Sequence, residues 1–130
     1  MIKTYLVVMA GGAVGTAGRM WLSTFLAERY GETFPVGTLV VNVTGCFVIG
    51  LFAGLTTADG MYFATPLTRQ FVMIGILGGY TTFSSFSLQT LNLLNDGEWF
   101  RAGVNILFSV LFSLVAVWLG QVAAALLNHR

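Results

Sequence analysis

Four long apolar stretches, at about 4–27, 38–55, 70–94 and 102–127, fill nearly the whole sequence, and its charged residues lie between or beyond them with Arg19 as the exception. Each stretch is long enough to cross a bilayer as a helix, at about 1.5 Å per residue. Of the 130 residues 56% are hydrophobic and 8% charged, against about a quarter charged in soluble domains. The expectation is an all-α integral membrane protein of four transmembrane helices, one domain over residues 1–130. The N-terminus runs into the first stretch with no Ala-x-Ala cleavage pattern, and reads as a retained helix.

The third stretch carries the sharpest signal, the run Gly78-Gly79-Tyr80-Thr81-Thr82-Phe83-Ser84-Ser85-Phe86-Ser87. Paired glycines weaken a helix, and hydroxyl side chains offer its backbone other partners. Lipid supplies no hydrogen bonds, so a break at mid-membrane is tolerated only where protein or a water-filled cavity covers it. Such a break would free carbonyls to hold a cation and point the positive end of the following half-helix at an anion. Beyond it Phe83, Phe86 and Thr90 share a face; ordinary core packing is the competing account of the two rings.

The first stretch contains Gly11 and Gly15, a small-xxx-small pair suited to close helix contact. A dinucleotide loop is disfavoured because the spacing is not G-x-G-x-x-G and no downstream acid follows. Arg19 either faces an aqueous vestibule that attracts anions or snorkels to the interface. In the second stretch Gly50 and Gly54 repeat the small-residue spacing, Cys46 reads as a packing residue, and Asn42 is either a bond to a neighbouring helix or a donor to an anion. In the fourth, Asn105, Ser109 and Ser113 recur every four residues as a polar stripe, and the remainder to Leu127 suits lipid contact.

A lone cysteine, one histidine next to the C-terminus and acids confined to loops or their edges (Glu28, Glu32, Asp59, Asp96, Glu98) leave no core group for catalysis or proton coupling. The chain reads as no enzyme, and a net charge of +1 suggests no nucleic-acid partner. A small multidrug-type transporter of dual topology is the alternative, but it needs an intramembrane carboxylate. Four spans place Lys3, Arg69 and Arg130 on one side and Arg29 and Arg101 on the other, too even a split to set orientation. Two copies in opposite orientations, an antiparallel (dual-topology) homodimer in lipid, follow as an expectation.

The run from Gly37 to Gly45 around Asn42, the Gly78–Ser87 run and the glycines leading to Arg19 together resemble the Fluc (CrcB) family of microbial fluoride channels, over essentially the whole chain. The resemblance implies passive export of fluoride across the cell (inner) membrane by a dual-topology homodimer with a structural sodium ion at its centre. It implies Gly78 and Thr81 as sodium ligands through their backbone carbonyls. It places Asn42, Phe83 and Phe86 along the fluoride pathway, with Ser109 and Ser113 continuing the polar track, Thr82 a further donor and Arg19 toward a vestibule. A tyrosine stands near the place of Asn105 in some relatives, so that end of the track differs here.

Overall fold

The computed structural model describes residues 1–129; Arg130, one of the charges counted above, lies outside the described residues. Helix α1 spans Ile2–Tyr30 and α2 spans Val36–Leu55. The third segment is composite: α3 (Pro66–Arg69), a wide π-helical stretch Gln70–Ile76, α4 (Leu77–Tyr80), an extended pair at Thr81 and Thr82, then α5 (Phe83–Asn95). Helix α6, Trp99–Asn128, completes the bundle, and the described residues contain no strand.

Three of these segments are long and apolar enough to cross a membrane, Val36–Leu55, Pro66–Asn95 and Trp99–Asn128. Helix α1 has 29 residues, but its glycines and Arg19 dilute its apolar character. The turns between helices use the expected chemistry. Gly31 ends α1 at φ 81° and Gly97 follows α5 at φ 76°, the left-handed region that glycine enters without a Cβ penalty. Pro66 opens α3 behind Thr65, whose hydroxyl accepts the Thr68 N–H at 3.1 Å.

Backbones meet where glycines permit. Helix α2 packs chiefly on α6, and α1 on the π-helical stretch and α4. A Cβ on Gly50 would collide with the Val117 carbonyl, and one on Gly120 with the Phe47 carbonyl. On the other side, a Cβ on Gly11 would stand 2.7 Å from the Phe71 carbonyl oxygen, and one on Gly79 2.5 Å from that of Gly12. Van der Waals packing of small residues is the force available between helices in lipid. Gly75 in the π-helical stretch and Gly79 in α4, four residues apart, both face α1.

The C-terminal half of α6 exposes large apolar residues such as Leu114, Trp118 and Leu126, in keeping with the expected lipid contact, but one face of it packs inward. Ala116, Gly120 and Ala124 are buried at four-residue spacing, a small-residue stripe laid on Gly50 and Gly54. Side chains then tie the ends. Arg69 donates to the Thr56 carbonyl (2.8 Å) and hydroxyl at the C-terminus of α2, where a cation complements the helix dipole. Asn128 donates to the Gly54 carbonyl at 3.0 Å and accepts the Met61 N–H at 2.8 Å.

Gly120→Val is expected to push α2 and α6 apart and to cost about 1–3 kcal/mol or more. Equilibrium unfolding in mixed micelles should show that loss, whereas Gly103→Ala, with nothing near its Cβ position, should not.

Candidate functional site

The break lies at Thr81 and Thr82, halfway along the third segment. Both are extended, Thr81 at φ −81°, ψ 157° and Thr82 at φ −153°, ψ 116°. The Thr81 N–H still closes a helical turn onto the Leu77 carbonyl at 2.9 Å. The next donor does not follow. Thr82 N–H, which a continuing helix would send to the Gly78 carbonyl, donates instead to Asn42 Oδ1 at 2.7 Å. Asn42 Nδ2 in turn donates to the Thr82 carbonyl at 2.9 Å. One amide thus satisfies both backbone groups of Thr82, as a neighbouring strand would.

The Thr82 side chain starts the second half-helix. Its hydroxyl accepts the Ser85 N–H at 3.2 Å as an N-cap and lies 3.1 Å from Ser85 Oγ. The carbonyls of Gly78 and Thr81 accept no hydrogen bond from the described residues. Gly78 is exposed on the surface of the single chain. Two carbonyl oxygens freed at one break are hard donors, the kind that a hard cation takes in place of water.

Beside the break lies a groove of about 310 Å³, and it gathers six of the residues singled out in the sequence. Asn42, Thr82, Phe83, Phe86, Ser109 and Ser113 all line it, together with Thr81. Phe86 is buried (8% exposed) and Phe83 is 77% exposed. Their rings are tilted by 51° with centroids 5.3 Å apart, a tilted aromatic contact that ties the two lining residues to each other. The groove surface is mostly apolar, with the Asn42 amide, the hydroxyls of Thr82, Ser109 and Ser113 and the rings of Phe83 and Phe86 along it, and its lining contains no acid.

Two expected positions lie elsewhere. Gly78 is on α4 outside this groove, and Arg19 lines neither it nor the larger hollow at the end of the bundle. Arg19 is half-buried and has no carboxylate partner among the described residues. The larger hollow, about 970 Å³, is edged by Glu28, Glu32, Asp96 and Glu98, with Arg101, Phe34 and the hydroxyls of Ser23, Thr24, Thr33 and Thr38, and so carries the acids that the groove lacks.

The groove also uses Cys46, Val110 and Leu114. Cys46 stands one turn beyond Asn42, so helical spacing alone could have placed it there. Asn105 is 1% exposed and turns inward rather than to the groove. It donates through Nδ2 to Thr90 Oγ1 at 2.9 Å, and Ser109 Oγ reaches its Oδ1 at 3.4 Å. Thr90 passes its own proton to the Phe86 carbonyl at 2.7 Å. This chain of bonds fixes α5 against α6 and holds Phe86 and Ser109, two lining residues, in register.

The model of the family described as "CrcB-like protein, Camphor Resistance (CrcB)" matches residues 6–121. The chain belongs to this family. A protein of Opitutus terrae named Fluoride-specific ion channel FluC is 60% identical over 127 residues, covering 98% of this chain and 96% of its own length. Proteins of the same name from Methylocella silvestris and Rhodospirillum rubrum are 55% and 54% identical, covering 96% and 97% of this chain and 95% and 98% of their own. CrcB-like membership and three helices of spanning length make this chain a membrane protein.

A double-mutant cycle on Thr90→Val and Asn105→Ala should return a coupling of about 0.5–3 kcal/mol in equilibrium unfolding, with each single variant destabilising by about 1–3 kcal/mol.

Proposed function

We propose that this CrcB-like chain is a fluoride-selective channel for passive export from the cytoplasm across the cell (inner) membrane, working as an antiparallel homodimer with a structural sodium ion. One observation carries the reading: all six residues expected along an anion path line one groove beside a helix break. Relatives that share at least half their residues with this chain bear the name Fluoride-specific ion channel FluC.

Fluoride is small and strongly hydrated, so a narrow path must replace its water with several protein donors and still release it. Asn42 Nδ2 has a second hydrogen beyond the one given to Thr82. Ser113 and Ser109 add hydroxyls, Thr82 caps the half-helix whose positive end faces the groove, and the edges of Phe83 and Phe86 supply partial positive charge. A negative cell interior drives the ion outward with about 2.3 kcal/mol per charge per 100 mV, so no coupled reaction is needed. Arg19 on this reading draws anions toward the path.

Several features support a second copy. The groove is open along one side of the single chain, and Phe83 stands largely uncovered. Gly78 is exposed with an unpaired carbonyl, a group that hydrocarbon cannot satisfy. A copy in the opposite orientation would cover both. It would also bring a second Gly78 and Thr81, giving four carbonyl oxygens for sodium, whose role is to neutralise oriented backbone dipoles. An acid suited to multidrug export is absent from the groove lining.

Purified protein in liposomes, with voltage clamped by an ionophore, should release fluoride rapidly and chloride negligibly; a dimeric preparation with no anion flux would refute the channel. Phe86→Ile should lower fluoride efflux by about tenfold or more, from loss of one aromatic contribution of about 0.5–1.5 kcal/mol together with the displaced partner ring, while leaving the dimer intact on a sizing column.

A further inference from the structure

An amide lining an ion path is ordinarily read as a ligand for the ion. The bonds of Asn42 point to a different use. Its Oδ1 and Nδ2 are both committed, at 2.7 and 2.9 Å, to the N–H and the carbonyl of the same residue, Thr82. Those are the two backbone groups that the break strands. Thr82 is largely buried at the wall of the groove, where lipid offers its backbone no partner and an unpaired N–H or carbonyl is costly. The bond to Thr82 N–H is also what leaves the Gly78 carbonyl unclosed, because that donor is the one a continuous helix would supply.

We propose that Asn42 is a positioning residue that acts through Thr82: its amide holds the third segment open at Thr81–Thr82 and thereby keeps the Gly78 carbonyl free. The side chain is matched to the task. It needs one acceptor and one donor, side by side, at a fixed reach from α2. Asp keeps the acceptor and loses the donor, Ser is too short to span both groups, and Ala offers neither. The neighbouring helix is also fixed close by. A Cβ on Gly45, one turn along α2 from Asn42, would collide with Thr81 Cγ2 and stand 3.1 Å from Tyr80 Cδ1, and Thr44 Oγ1 lies 2.8 Å from Tyr80 Oη. The tyrosine before the break is therefore held by α2 as well, and Asn42 meets Thr82 at a set distance.

The role of Gly78 as a sodium ligand rests on the proposed function; the hold on Thr82 does not. The test uses the full chain in nanodiscs with site-resolved amide exchange. In Asn42→Ala, Thr82 N–H should exchange about tenfold to a hundredfold faster, with Leu93 N–H in the body of α5 unchanged. In Asn42→Asp, which retains the acceptor, Thr82 should stay protected. An unchanged Thr82 rate in Asn42→Ala overturns the proposal, and so does equal acceleration at Thr82 and Leu93, the signature of general destabilisation. Should Asn42→Ala not fold, Asn42→Ser is read in its place by the same criteria.

A second readout separates positioning from stability. The sodium concentration that half-saturates thermal stabilisation should rise about tenfold in Asn42→Ala, as expected for a misplaced ligand worth one charge-assisted bond. Where sodium stabilises the unsubstituted chain, a residue that only stabilised the fold would lower the melting temperature equally at every sodium concentration, and that result counts against the proposal. Release of Thr82 in a protein that shows no sodium effect and no fluoride efflux would defeat the channel reading and uphold the hold on Thr82. Normal efflux with an undisturbed Thr82 would do the reverse.

Discussion

A backbone group in hydrocarbon must find its partner within the protein, and the third segment meets that demand in an unusual way. Helix α4 stops at Tyr80 and α5 begins at Phe83; the Thr81 N–H still reaches Leu77, but the Thr82 N–H between them has no helical acceptor. Thr82 is satisfied in full from α2, by one asparagine amide. With Thr82 held, its hydroxyl can cap α5, and the capped end faces the groove. The break, the start of α5 and the lining of the groove therefore stand or fall on one pair of bonds contributed from forty residues away.

That pair of bonds needs α2 close to the break, and glycine supplies the closeness. Gly45 accepts the Thr81 and Tyr80 side chains against the α2 backbone, while Gly50 and Gly54 admit α6. Gly11 and Gly15 do the same for α1 against the segment before the break. Each contact is between backbones or small groups, where dispersion at short range replaces the hydrophobic effect that lipid abolishes. Substitutions at these glycines would reach the groove indirectly, by moving Asn42 relative to Thr82.

The polar interior divides into two systems with different work. Asn105, Thr90 and the Phe86 carbonyl form a buried relay between α5 and α6, in which one Asn105 Nδ2 hydrogen and the Thr90 proton are donated. The groove lining, by contrast, keeps donors in reserve: the second hydrogen of Asn42 Nδ2 and the Ser113 hydroxyl. Saturated networks hold shape, and unsaturated ones are left to meet a ligand. On the proposed reading that ligand is fluoride, and the open side of the groove is where a second copy would complete the wall.

Much of this was legible from the residues alone. The apolar stretches announced the helices because only a helix closes its own hydrogen bonds in lipid, and the Gly78–Ser87 run announced a break, though the break falls at the two threonines while Gly78 and Gly79 stay helical and Gly79 serves contact with α1. The four-residue spacing placed Asn105, Ser109 and Ser113 on one polar face. Sequence could not assign Asn42 its partner, separate Asn105 from the groove, or see that Ala116, Gly120 and Ala124 serve α2 and not lipid. Those outcomes depend on which helix lies opposite and at what distance. Spacing along the chain fixes the face a side chain occupies; only the packed bundle decides what that face meets, because the forces between helices act across a few ångströms between residues far apart in sequence.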